Sequence, residues 1–274
     1  RMTGLSDKKT KEVLDAVAAE IPKIRLSSSP PETGRVIHRI LKEAAGNSDP
    51  YRELKRQSNK IALSVYPALK AIVADSADPL LKAVEVAIAG NIMDYGAVSN
   101  LDVEEEIRNI LVREETHIAG EDSRFFAFTQ FKTSLGKART LLYLADNAGE
   151  IIFDRVLLEE IKREYPQLKI TLAVRGAPVI NDCTVDDIPG TGVEKIVSIM
   201  SNGHDAPGTI LDSCSPDFLS VWRTSDMIVS KGQGNYESLS NEQGNIFFLF
   251  VAKCDVLARD AGCNVRDIIL CKSL

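Results

Sequence analysis

Asp146 and Asn147 stand side by side where the apolar run Leu141–Ala145 ends and an amphipathic helical pattern begins near Glu150. Ligands of open α/β sheets bind where strands turn into helices, so an acid and an amide at that corner are placed to hold a hard cation. Two more polar corners follow later apolar runs. One is Arg175-Gly176-Ala177-Pro178-Val179-Ile180-Asn181-Asp182, continuing into Cys183-Thr184; the other is Ser230-Lys231-Gly232-Gln233-Gly234-Asn235-Tyr236-Glu237. In a parallel sheet all three corners gather on one edge, where Asp146, Asn147 and Asp182 supply three oxygen ligands and leave positions open for water and substrate. Oxygen-only ligation suits Mg²⁺ or Mn²⁺, small octahedral ions that commonly bridge phosphate oxygens. Lys231, read as lying in a glycine-flanked loop, adds positive charge, and the loop's N–H groups can cradle an anion. The chemistry predicted from this set is phosphoryl transfer, in which positioning and charge neutralisation carry most of the catalysis.

Each corner taken alone has a plainer reading. Asp146-Asn147 are good helix N-cap residues, and Glu150 in a first turn complements the helix dipole without any catalytic role. Asn181-Asp182 followed by Thr184 and Asp186 is also an ordinary turn-and-cap sequence. Gly232-Gln233-Gly234 lacks the GxGxxG pattern and downstream acid of a dinucleotide site and reads equally as a flexible turn. The three corners become persuasive as a set.

The elements that must position them divide the chain by texture. Residues 1–135 read as helices: Lys8–Ile24, then Glu32–Ala45 after a break at Pro30-Pro31, then a long stretch opened by Asp49-Pro50, then Leu80–Ala89 opened by Asp78-Pro79. Over 136–274, strand-like runs at Leu141–Ala145, Ile170–Val174, Ile196–Ile199, Met227–Ser230 and Ile268–Leu270 alternate with helical ones such as Ile151–Tyr165. Strand, helix, strand in that order is a βαβ unit and implies a parallel sheet covered on both faces. The predicted architecture is a Rossmann-like three-layer α/β/α domain with an N-terminal all-helical subdomain.

Composition narrows the function classes. The 274 residues carry 33 Lys and Arg against 39 Asp and Glu, a net charge of −6 that argues against a nucleic-acid binder. No apolar run approaches a membrane span, and no signal peptide opens the chain. The scattered Cys183, Cys214, Cys254, Cys263 and Cys271 contain no CxxC pair, which fits reduced thiols in a cytoplasmic protein. His38, His117 and His204 are too separated for a triad or a zinc site; His204, in SNGHDAPG, lies in a polar loop that could rim the cleft, with a solvated loop residue the plainer reading.

Against this background DNAGEIIFD, VRGAPVINDCTVDD and SDMIVSKGQGNYESLS resemble the motifs of the damage-control phosphatase family, once called domain of unknown function 89. DPYRELKRQSNKIA, AGNIMDYG and FFLFVAKCDVLA extend the resemblance over nearly the whole chain, closest to the short prokaryotic-type branch. The N-terminal cysteine pair that often opens that branch has no counterpart here, so no role of such cysteines carries over. The resemblance implies a phosphomonoester hydrolase acting on small phosphorylated metabolites such as sugar phosphates, with a divalent cofactor (Mg²⁺, Mn²⁺, Co²⁺ or Ni²⁺). It places the metal ligands on Asp146, Asn147 and Asp182, the phosphate-contacting lysine on Lys231 and the acid of the first motif on Glu150. Asn235 falls within the lysine loop, and Asn91 and Asp94 match a GNxxD motif facing the cleft. Attack by water is favoured over an aspartyl-phosphate on Asp146, because DNAGE at 146–150 lacks the DxDx[T/V] signature of haloacid-dehalogenase-type phosphatases. Two other classes stay open: an S-adenosylmethionine-dependent methyltransferase, disfavoured by the missing glycine-rich loop after the first strand, and a non-catalytic metal-binding protein.

Overall fold

The computed structural model describes residues 6–91, 125–265 and 267–273. Four helices come first: α1 (Asp7–Glu20), α2 (Pro30–Ala45), α3 (Arg52–Ala74) and α4 (Pro79–Ala89). Pro30-Pro31, expected to break the chain, instead forms the first turn of α2. Proline suits that turn because its missing N–H has no intrahelical acceptor there anyway, and Ser29 and Glu32 close a capping box around it. Asp78 caps α4 as expected, accepting from Leu81 N at 3.1 Å. Asp49 does not cap α3, which starts at Arg52 without a side-chain cap. Its carboxylate pairs instead with the buried Lys55 ammonium at 2.9 Å. Helix α3 buries Ala62, Val65, Leu69 and Val73, the three-and-four spacing of one helical face.

After α5 (Phe128–Lys137) the chain builds β1 (Thr140–Leu144), α6 (Glu150–Glu164), β2 (Lys169–Val174), β3 (Ser198–Ser201) and α7 (Pro216–Thr224). It finishes with β4 (Met227–Lys231), α8 (Gln233–Leu239), β5 (Ile246–Val251), α9 (Asp255–Ala261) and β6 (Ile268–Lys272). The sheet order is β3-β2-β1-β4-β5-β6. The first five strands are parallel and β6 runs antiparallel to β5, so the sheet is mixed rather than wholly parallel. Strand β5, Ile-Phe-Phe-Leu-Phe-Val, is the one the sequence reading passed over. It is buried on both faces and so has no polar alternation to announce a strand. The strand expected at Met227–Ser230 runs on to Lys231, and Gln233–Leu239 is helix rather than loop.

The sheet is covered on both sides. Leu141 and Tyr143 of β1 join the core formed with α3, α4 and α6, while Leu142 and Leu144 face a second core containing Phe218 and Leu257. Helices α3 and α4 both pack on α6, and α4 also meets β5 and β6 directly. The N-terminal helices therefore cover the same sheet rather than a core of their own, with α2 packed on α8 and α5 attached through Ala127 N donating to Leu270 O on β6 at 2.7 Å.

Candidate active site

Between β1 and β4 the strand order reverses direction, and the carboxyl ends of these strands flank the crevice where doubly wound sheets bind ligands. Asp146 and Asn147 leave β1 there. The segment after β2 folds back beside them: Cys183 N donates to Asp146 O at 2.8 Å, Ala148 N to Asn181 O at 2.9 Å, and Asn147 pairs with Asp182 as an antiparallel bridge. A tight turn delivers Asp182, closed by Asp182 N on Val179 O at 3.1 Å, with Ile180 at φ +45°. A β-branched residue in the left-handed region is strained and persists only where its surroundings hold it. On the opposite side the Asp146 carboxylate lies against Gly232, at φ +83°, where any Cβ would collide with it. Neither Asp146 nor Asn147 caps α6. Its cap is Gly149, whose N–H donates to Asn59 Oδ1 of α3 at 2.6 Å.

Arg175, the first residue after β2, ties the two carboxylates together. Its Nε donates to Asp182 Oδ2 at 2.6 Å, and its Nη2 lies 3.5 Å from Asp146 Oδ1. Nη1 donates to Thr209 Oγ1 at 3.2 Å and to Asn235 Oδ1 at 3.0 Å. Nη2 makes no hydrogen bond among the described residues, although Arg175 is only 2 % exposed. Asn235 itself is fully engaged, since its amide also donates to Lys231 O at 2.7 Å and Ala145 O at 3.4 Å while Oδ1 accepts from Thr209. The structure therefore places Asn235 as a brace under the crevice.

Lys231, expected at a phosphate, lies wholly inside the protein. Its Nζ donates to Glu150 Oε1 and Asp154 Oδ1, each at 2.6 Å, and to the Ala87 carbonyl of α4 at 2.8 Å. An ammonium has three protons, and these acceptors take all of them. Burial works against the charge on Lys231, but Asp154 and Glu150 outweigh it and its pKa is raised. Asp154 follows Glu150 by one turn of α6 and also accepts from Tyr143 Oη at 2.7 Å. Burial pushes Asp154 up to about 6; Lys231 pulls it down and Glu150 pushes it up again. Glu150 connects this buried network to the ligand set, its Oε2 accepting from Asn147 at 3.4 Å and Asn91 at 3.3 Å. Asp94 lies outside the described residues.

These contacts put Asp146, Asp182, Glu150 and Asp154 at one sheet edge together with Arg175 and Lys231, all six buried. Carboxylates gathered in a poorly solvated place need positive charge near them, and the oxygens of Asp146, Asn147 and Asp182 are donors of the kind a hard divalent cation takes. No cluster of three or more His, Cys, Asp or Glu side chains suited to a metal occurs among the described residues. The candidate set is consistent with that, being two carboxylates plus the Asn147 amide. A separate cavity of about 250 Å³ between α2 and the segment after β3 contains none of these residues.

Sequence reasoning gives no role to three participants. Arg175 is named only as part of the second polar corner and Tyr143 sits in an apolar strand run, and only the fold reveals their partners. The third is His204, which is 3 % exposed rather than solvated. Its backbone explains why: Gly176 N donates to His204 O at 2.7 Å, pinning the loop after β3 against Arg175's neighbour.

A doubly wound α/β sheet with an acid–amide–acid set at its switch point has the architecture of a ligand-binding α/β protein. The family model for the damage-control phosphatase ARMT1-like domain matches residues 1–269. A damage-control phosphatase of Archaeoglobus fulgidus is 42% identical over 236 residues, covering 85% of this chain and 79% of the relative. An uncharacterized protein of Methanocaldococcus jannaschii is 37% identical over 272 residues, covering 97% and 85%. The crystal structure of a DUF89 family protein from Pyrococcus horikoshii superposes with a TM-score of 0.87 at 29% identity, covering 100% of this chain and 93% of that one. This chain belongs to the damage-control phosphatase ARMT1-like family.

Proposed function

We propose that this chain is a metal-dependent phosphomonoester hydrolase acting on small phosphorylated metabolites such as sugar phosphates. The observation that carries this reading is the gathering of Asp146, Asn147 and Asp182 at the switch point, joined by the Asn147–Asp182 bridge and by Arg175, which lies against both carboxylates. Asp146, Asn147 and Asp182 would hold the divalent ion, with Mg²⁺, Mn²⁺, Co²⁺ and Ni²⁺ as the candidates. Such an ion, when bound, supplies charge neutralisation to phosphoryl oxygens and lowers the pKa of an attacking water. Relatives named damage-control phosphatases support the same reaction class.

The chain's own residues do the positioning. Arg175 keeps the two ligand carboxylates close together by bridging them, and Gly232 lets the Asp146 carboxylate approach the end of β4. Glu150, held by Lys231, Asn91 and Asn147, fixes the Asn147 amide and so the direction of its carbonyl oxygen. Lys231 acts from below as an organiser of Glu150 and Asp154. No helix among the described residues is long and apolar enough to cross a membrane, and five free cysteines suit a reducing cytoplasm.

The test is phosphate release from a panel of sugar phosphates and an aryl phosphate, after chelation and again with each metal. Hydrolysis restored only by metal, and abolished in Asp182→Ala with the fold intact, is the expected result. Asp182→Ala turning over at the wild-type rate would remove the metal assignment.

A further inference from the structure

Two buried cations serve this sheet edge, and they differ in what they have left to offer. Lys231 has three acceptors for three protons. Arg175 has an Nη2 without a hydrogen bond among the described residues. In the loop bonded to Gly176, His204 Nδ1 accepts from Ala206 N at 3.2 Å, which fixes the neutral tautomer with the proton on Nε2. That Nε2–H also has no acceptor among the described residues, although the side chain is 3 % exposed. Burial, then the Arg35 charge, lowers the His204 pKa, with Arg175 acting in the same direction, so the ring stays a neutral donor at physiological pH. The loop carrying it is built around Arg175: Gly176 N holds His204 O, Asn202 Oδ1 accepts from His204 N at 2.9 Å, and Thr209 accepts from Arg175 Nη1. Buried donors without acceptors are rare in folded proteins, because each forfeits its hydration. The two donors belong to segments joined by the Gly176–His204 bond at the carboxyl edge of β2 and β3, and an anion is the ligand that such donors take.

We propose that Arg175 Nη2 and His204 Nε2–H form the seat of the substrate's phosphoryl oxygens, on the β2–β3 side of the ligand set and away from Lys231. The seat deepens the phosphatase reading and rests on it for the identity of the ligand. It makes Arg175 bifunctional, bridging Asp146 and Asp182 with one edge and meeting the anion with Nη2. It makes His204 a substrate-binding residue that selects dianionic phosphoryl groups by donating a proton it does not transfer.

The test uses inorganic phosphate as probe, titrated calorimetrically into the full chain saturated with Mg²⁺, with phosphate-ester KM and kcat measured alongside. His204→Asn retains an acceptor where Nδ1 stood, so Ala206 N keeps its partner, but it deletes the Nε2 donor. His204→Gln places an amide N–H near the lost Nε2–H. The expected result is phosphate binding weakened about ten-fold or more in His204→Asn, substantial recovery in His204→Gln, and melting temperature and Mg²⁺ affinity unchanged in both. A merely structural histidine would give the reverse order, with His204→Asn the better variant, and that outcome overturns the seat. So does wild-type affinity in both variants, or no phosphate binding by the wild type. Phosphate binding that depends on His204 in a protein that hydrolyses no ester would keep the seat and remove the phosphatase reading. Hydrolysis with KM indifferent to His204 would do the opposite.

Discussion

Replacing Lys231 with methionine isolates the buried network beneath the site. Methionine fills most of the volume, so the loss is electrostatic rather than a cavity. The change strips Glu150 and Asp154 of their shared ammonium while both remain fully buried. Removing one partner of a buried ion pair costs roughly 3–5 kcal/mol. Asp154 can limit the loss by taking up a proton, since its pKa already stands at about 6 with Lys231 present and rises further without it. The predicted destabilisation at pH 7 is therefore about 3 kcal/mol, at the low end of that range. It should be larger at pH 8 than at pH 5, because the proton that relieves it is scarcer. Equilibrium urea unfolding reads it as a lower midpoint at constant slope. Asp154→Asn in the Lys231→Met background should recover about half, by removing one of the two stranded charges. A loss below about 1 kcal/mol, or one indifferent to pH, would refute the claim that the ammonium holds these carboxylates.

Other perturbations have signs that follow from the same structure. In the wild type the folded pKa of Asp154 is raised from 3.8 to about 6, so the native state binds the proton more tightly and stability rises as pH falls through that window. The gain is on the order of 3 kcal/mol and should vanish in Asp154→Asn, checked by unfolding between pH 4 and 7. Gly232→Ala drives a methyl into the Asp146 carboxylate from a left-handed backbone and should remove metal-dependent turnover while leaving far-ultraviolet circular dichroism intact. Lys55→Met removes the ammonium shared by Asp49 and Asp187 and should destabilise by about 3 kcal/mol in urea. Its effect on kcat should be smaller than that of Gly232→Ala, because the Lys55 pairs do not touch the ligand set.

The parts of this molecule legible in its sequence were those with local signals. The apolar run before Asp146-Asn147 and the helical spacing after Glu150 placed the first βα corner within a residue, and Asp78-Pro79 announced α4 correctly. Signals that depend on partners distant in the chain were not legible. Lys231 looked like a loop cation because glycine follows it, yet it closes a strand and faces Glu150 and Asp154, more than seventy residues earlier. Asp49 had the residue type and position of a cap, but Lys55, the fourth residue of the next helix, claims it. His204 sits among Gly, Asp and Pro, a solvated composition, and only the backbone bond from Gly176 shows that the loop turns inward. β5 escaped because a strand buried on both faces has no period to detect.

The position of α6 has a consequence for how the chain behaves as a material. With Ile151, Ile152, Phe153, Val156 and Leu157 all buried among the sheet, α3 and α4, this helix has only Arg163 fully exposed near its C-terminal end. The hydrogen bond from Lys231 to the Ala87 carbonyl stitches α4 to the sheet at the same depth. A fragment starting near residue 136 would bare that apolar strip and cleave the stitch, so it should aggregate rather than survive as a smaller functional unit. Chain dissection, circular permutation and limited proteolysis should all report one cooperative melting body, in which the helical layer and the sheet are lost together.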